Sequence, residues 1–190
     1  MAHTFAQDYK TEVERALATV DIDKVNRAID AFVRARDEDR QIFVCGNGGS
    51  ASTASHFVCD MVKGASYKRG SRFRILALTD SLPTITAYSN DVDYEAIFVE
   101  QLKNFARPGD LFMAISGSGN SPNVIRAMEY ARDAGCRTIA LTGRDGGRLA
   151  PLAELNIQVS HPHMGHIEDS HMIVLHMIAY YFMDTEKPTE

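Results

Sequence analysis

From Gln41 onward the chain keeps returning to one pattern: a short apolar run closed by glycine or a polar cluster, then a longer stretch with helical spacing. The runs are IFVC at 42–45, FRILAL at 73–78, DLFMAIS at 110–116, RTIALTG at 137–143 and NIQVS at 156–160. Each suits a strand buried on both faces and is too short for a helix. The stretches near 51–63, 93–105 and 121–134, and a last one over about 166–183, read as helices. Strands alternating with helices build a parallel sheet, because each crossover returns the chain to the same end while its helix covers a face. The expectation is an α/β three-layer sandwich around a five-stranded parallel sheet. Ahead of it, Val13, Leu17, Val20, Val25, Ile29, Phe32 and Val33 fall at helical spacing within residues 5–38, and Asp21 is placed to cap the second of two helices.

With 190 residues and 45% apolar content, the chain can bury one full-sized core. The expected organisation is a single domain over 1–190: a helical segment at 1–40 that serves oligomerisation, an α/β core at 41–183 and a loose tail at 184–190. No tandem repeat or low-complexity linker interrupts it. A net charge of −5 argues against the broad basic face that nucleic acid or an anionic membrane surface requires, so any phosphate must be held locally. No apolar run reaches 18 residues, and MAHTFAQDYKTEVER meets acidic residues too early for a secretory signal. Cys45, Cys59 and Cys136 are an odd set without a C-x-x-C pair, which suits a reducing cytoplasm.

In such sheets ligands bind beyond the carboxyl ends of the strands. Two loops there are rich in small residues: Gly46-Asn47-Gly48-Gly49-Ser50-Ala51-Ser52 and Ser116-Gly117-Ser118-Gly119-Asn120-Ser121-Pro122. Glycine lets a ligand approach the backbone, serine offers hydroxyls, and the following helix offers unpaired N–H groups that favour an anion. Either loop alone would pass as a tight turn; two at the same end of one sheet point to a phosphate cradle. Neither matches a nucleotide fingerprint: GNGGSAS lacks G-x-G-x-x-G spacing and no G-x-x-x-x-G-K-[ST] occurs. His56 and Asp60, four apart, share a helix face; taken alone they read as readily as a solvated face as a metal pair. His161, His163, His166, His171 and His176 crowd into sixteen residues beside Glu168 and Asp169, and as a group suggest a metal or acid/base centre.

Taken together, GNGGSASTASHF, LTDSLPTITAYSNDVDYEAIF, ISGSGNSPNV, IALTGRDGGRLA and IEDSHMIVLH resemble the phosphoheptose isomerases of the sugar-isomerase (SIS) domain superfamily, over most of residues 5–183. The resemblance implies a flavodoxin-like sheet, a homotetramer built partly through the N-terminal helices, active sites between subunits, and a zinc ion. It implies interconversion of sedoheptulose 7-phosphate with D-glycero-D-manno-heptose 7-phosphate. Carried over by position, Ser116, Ser118 and Ser121 would bind phosphate, Asn47, Gly48, Gly49 and Ser50 would lie near the sugar, and Asp91 near its hydroxyls. His56, Asp60, Glu168 and His176 would take the metal positions, with Asp60 and His176 doubling as the acid/base pair and Glu168 also touching substrate.

This chain departs from the family pattern in three places. Asp60 stands where glutamate is usual, Glu168 where glutamine is usual, and Gly117 where a hydroxyl residue is common; HPHMGH is also unusual there. On one helix, Glu168 and His176 are about 12 Å apart along the axis, long for two ligands of one ion. Because helical side chains lean toward the N-terminus, His176 leans toward the centre and Glu168 away from it, as a second-layer group or substrate contact would. Two other readings stay open at this level: a non-catalytic SIS-domain regulator that binds sugar phosphate or associates with a replication initiator, and an SIS enzyme for another sugar phosphate.

Overall fold

The computed structural model describes residues 4–186. Five strands, β1 Gln41–Gly46, β2 Arg74–Ala77, β3 Leu111–Ser116, β4 Arg137–Gly143 and β5 Leu155–Val159, form one sheet in the order β2-β1-β3-β4-β5. All four pairings are parallel. The three-layer α/β architecture and the five strands match the sequence expectation. This order is flavodoxin-like, with its switch point between β1 and β3. The two small-residue loops leave the carboxyl ends of those two strands, so the topology itself brings them together.

Among the described residues seven α-helices accompany the sheet: α1 Phe5–Leu17, α2 Ile22–Asp37, α3 Gly49–Cys59, α4 Leu82–Asp91, α5 Val99–Phe105, α6 Pro122–Asp133 and α7 Met164–Thr185. Alternate residues of the strands feed two cores. On one face Ile42, Val44, Met113, Ile115 and Leu141 pack with Phe32 of α2, Phe57 of α3 and Val174, Ile178 and Phe182 of α7. On the other Phe43, Cys45, Phe112, Ala114 and Ala140 pack with Leu102 of α5 and Val124, Ala127 and Met128 of α6. The stretch expected as one helix over 93–105 is a 3₁₀ turn, Tyr94–Ala96, followed by α5, and α4 was not anticipated. α4 has no buried residue, so no apolar stripe announced it.

Asp21 caps α2 as expected, accepting from the Asp23 and Lys24 N–H groups at 3.0 and 3.3 Å. Val25, Ala28, Phe32 and Ala35 of α2 are all buried, because α2 lies on the same sheet face as α3 and α7. On α1, Ala16 is buried and Phe5 is exposed. The last four tail residues, 187–190, lie outside the described residues, and α7 runs through residue 185, past the expected start of the tail.

Candidate functional site

Gly46 ends β1 where a side chain has no room: an added Cβ would stand 2.7 Å from the Ser50 carbonyl oxygen. Gly48 then takes φ +54°, a left-handed turn that starts α3 immediately afterwards. Asn47, between them, is clamped. Its Nδ2 donates to Asn123 Oδ1 at 2.8 Å, and its Oδ1 accepts from Asn123 Nδ2 and from the Tyr94 hydroxyl, each at 3.0 Å. Asn123 and Tyr94 escaped the sequence reading. Asn123 had one signal, its place directly after Pro122 in the first turn of α6; Tyr94 had none, since it reaches Asn47 only through the fold.

The loop after β3 gathers hydroxyls. Ser116 Oγ lies 3.5 Å from Ser118 Oγ and 3.4 Å from Ser121 Oγ, too long for good O–H···O bonds, so the three converge without satisfying one another. Ser121 occupies the N-cap of α6 yet makes no cap bond through its side chain, and Pro122 opens the helix. Val124 N–H donates to Asn123 Oδ1 and Ile125 N–H to the Ser121 carbonyl, so the Ser121 hydroxyl and the Asn123 N–H are the groups of the first turn available to an anion. A hollow of about 150 Å³ is lined by Asn47, Ser50, Ser116, Gly117, Ser118, Ser121, Met164 and Glu168, among others. Gly48 and Gly49 belong to the same loop, and an added Cβ on Gly49 would meet the Glu168 carboxylate at 3.0–3.2 Å. Gly117 abuts Met164 of α7, whose sulfur sits 2.5 Å from where its Cβ would be. Where the family resemblance led us to expect a hydroxyl residue, Met164 fills the space from the opposite side.

The second centre lies between α3 and α7. His56 Nε2 and His176 Nε2 stand 3.0 Å apart, and Asp60 Oδ2 lies 3.3 Å from the first and 3.6 Å from the second. Asp60 Oδ2 is buried with no hydrogen-bond partner, an orphan that a cation or a proton would satisfy. Asp60 also begins a π-helical turn, Asp60–Gly64, that breaks the register of α3. Among the described residues this trio is the group of three His, Cys, Asp or Glu side chains with ligand atoms close enough to share an ion. An imidazole and carboxylate donor set suits zinc or a similar divalent ion.

The four residues expected around one ion therefore divide: His56, Asp60 and His176 converge, and Glu168 stands with the serine loop. The two turns of α7 between Glu168 and His176 are the reason. Asp91 is not brought into the hollow either. It sits exposed at the end of α4, accepts from Asn90 Nδ2 at 2.7 Å, and lines a separate depression with Thr84 and Tyr88.

The histidine cluster divides in the same way. His171 faces the sheet, buried, with Nε2 3.0 Å from the Thr142 carbonyl oxygen; five residues separate it from His176, which turns to α3. Burial pushes its pKa down to about 4, against the smaller opposing effect of that hydrogen bond. His163 and His166 stack with ring centroids 4.3 Å apart, and Tyr9 of α1 meets His166 edge-on at 4.4 Å. His161 pairs with Glu12 at 3.3 Å, an interaction that lowers the Glu12 pKa. These three dock α1 and do not reach the trio. Cys45 and Cys136 are buried thiols with pKa values raised by desolvation. Among the described residues no helix is long and apolar enough to cross a membrane.

Comparison with known proteins agrees with this fold. The SIS domain family matches residues 5–143. A probable phosphoheptose isomerase of Thermoplasma acidophilum is 38% identical over 174 residues, covering 92% of this chain and 95% of its own. Among solved structures, the phosphoheptose isomerase of Neisseria gonorrhoeae superposes with a TM-score of 0.81 at 32% identity, covering 94% of each chain. That of Francisella tularensis gives 0.88 at 26% identity, covering 96% of this chain and 97% of its own. With its flavodoxin-like sheet, its two loops at the switch point and near full-length similarity to these proteins, the chain belongs to the SIS-domain family and, within it, to the phosphoheptose isomerases.

Proposed function

We propose that this chain interconverts D-sedoheptulose 7-phosphate and D-glycero-D-manno-heptose 7-phosphate. The observation that carries the reading is the placement of a cradle of unsatisfied hydroxyls and a His–Asp–His trio around one helix, α3, with Glu168 and Ser50 on the cradle side. A long sugar phosphate has its phosphate at one end and its carbonyl at the other, and this arrangement offers each end its own chemistry.

Ser116, Ser118, Ser121 and the N-terminus of α6 anchor the phosphate, and that binding energy holds the reacting carbons in place. Gly48 and Gly49 let the backbone come close to the sugar, while Asn47, Ser50 and Glu168 contact its hydroxyls. Isomerisation moves a proton between adjacent carbons and exchanges protons on two oxygens. Asp60 carries the carbon proton, and His176 exchanges protons with the oxygens. His56, Asp60 and His176 would hold a zinc ion, which would supply positive charge for the developing oxyanion, leaving Asp60 Oδ1 and His176 Nδ1 for proton exchange. The protein is proposed to act in the cytoplasm as a single domain over 1–190. Exposed Phe5 on α1 and Met177, Tyr180 and Tyr181 on α7 are the apolar groups that a homotetramer would cover. In that assembly Asp91, outside its own chain's hollow, would serve the site of a neighbouring subunit.

The test measures metal content and turnover of several ketose phosphates for wild type, His176→Ala and Asp60→Asn, with sugar-phosphate binding as the folding control. Losing either group should cost about 100-fold to 10,000-fold in rate with binding retained. Wild-type turnover in both variants would reject the assignment, and tight binding by wild type without turnover of any ketose phosphate would point to a regulator.

A further inference from the structure

A hollow of about 700 Å³ at the ligand end of the sheet is a different one from the serine cradle. Ser118 lines both. The sheet order sets their relation: the sugar-side loop follows β1, on one flank of β3, whereas Arg144 and Asp145 follow β4 and Ser160 and His161 follow β5, on the other flank. A phosphate on the serine loop therefore has the sugar cleft on one side and this second hollow on the other.

Most polar groups of the second hollow are already committed. Asn120 spends its amide on the Ser118 carbonyl and the Arg148 N–H, at 2.8 and 3.1 Å. Asp145 accepts from Gly147 N–H at 3.1 Å. His161 faces Glu12 with one ring nitrogen and accepts from His163 N–H with the other. Arg144 is the exception: it lines the hollow, its backbone takes φ +55°, and among the described residues its guanidinium has no partner. Ser160 adds a hydroxyl, whose oxygen accepts from Gln158 Nε2 at 3.2 Å and whose proton stays free to donate. The serine cradle, by contrast, contains the carboxylate of Glu168 and no cation.

We infer that the hollow is a second phosphoryl subsite, and that the protein binds sugars carrying a diphosphate diester, of the nucleoside-diphosphate-sugar class, as competitive ligands. The first phosphoryl group sits on the serine loop, the second reaches past Ser118 to Arg144 and Ser160, and the remainder occupies a volume in the usual range of small-molecule sites. Such a ligand divides its charge between two phosphoryl groups, so less of it faces Glu168 than with a phosphomonoester dianion, and the rest meets a guanidinium. No nucleotide fingerprint is needed, because the recognition lies in the diphosphate.

This inference rests on the serine loop as phosphate anchor, and the experiment separates the two. GDP-mannose and mannose 1-phosphate share the sugar and the first phosphate and differ by everything beyond it. Each competes with sedoheptulose 7-phosphate for wild type, Arg144→Gln, Ser160→Ala and Ser118→Ala, all with the metal supplied in excess. GDP-mannose should bind at least about tenfold more tightly than mannose 1-phosphate to wild type, the gain expected of a charged hydrogen-bonded pair. Arg144→Gln should erase that advantage and leave mannose 1-phosphate within about twofold, Ser160→Ala should reduce it, and Ser118→Ala should weaken both ligands. Equal affinities in wild type, or an advantage that survives Arg144→Gln, would overturn the second subsite. Unchanged binding of both ligands to Ser118→Ala would instead overturn the anchor itself.

Discussion

At the end of β3, Ser116 Oγ lies 3.5 Å from Ser118 Oγ and 3.4 Å from Ser121 Oγ, contacts too long to satisfy the three hydroxyls, and Ser118 Oγ only accepts from the Asn120 N–H. Buried or half-buried hydroxyls in that state are held for something else, and Ser118→Ala with Ser121→Ala together should weaken sugar-phosphate binding by roughly tenfold or more without unfolding the protein. Calorimetry on the folded double variant decides it, and unchanged affinity would remove the anchor. His171 makes a different residue-scale prediction. Its pKa falls from 6.5 unfolded to about 4 folded, chiefly through burial. Below 6.5 the unfolded chain takes up a proton that the folded chain refuses, so His171 leaves stability undiminished above 6.5 and costs progressively more as pH drops to 4. The full loss is on the order of 3 kcal/mol. Denaturant unfolding of wild type and His171→Gln over this range should show that increment in wild type alone; parallel pH profiles would contradict it. At the same scale, the serines were located because their loop follows a strand, and the family resemblance singled out His56, Asp60 and His176; spacing alone did not separate His176 from its four neighbouring histidines.

Where elements meet, the serine loop packs closely against the start of α7. Gly117 and Met164 share one volume, with the methionine sulfur where a larger residue at 117 would place its Cβ. Gly117→Thr should therefore cost about 1–3 kcal/mol as overpacking, and Gly117→Thr with Met164→Ala should recover most of it. Thermal or denaturant unfolding of the two variants provides the measurement; a single variant as stable as wild type would show that the methionine simply moves aside. The same junction explains Glu168. α7 is one helix of 22 residues, and only His176, farther along it, comes opposite the face of α3 that carries His56 and Asp60.

For the whole molecule, the open question is what covers Phe5, Met177, Tyr180 and Tyr181. Exposures of 72, 36, 50 and 40% leave apolar surface on α1 and α7 that the single chain does not bury. Light scattering should give a tetramer at micromolar concentration, and Tyr180→Glu with Tyr181→Glu should shift it toward smaller species while the melting transition stays cooperative. A monomeric wild type would also withdraw the assignment of Asp91 to a neighbour's site.

The sequence by itself determined the fold class, because apolar runs too short for helices, each closed by glycine, leave a parallel sheet as the arrangement that buries them on both faces. It also determined where to look, since both small-residue loops follow strands. Tertiary structure alone decided which chemistry each residue joins. Strand order placed the β1 and β3 loops side by side, α7 brought His176 against Asp60, and α2 buried its apolar stripe in the core. Helix rise had already set Glu168 apart from His176, but which groups each would meet depends on packing between elements distant in the chain, which local spacing does not encode.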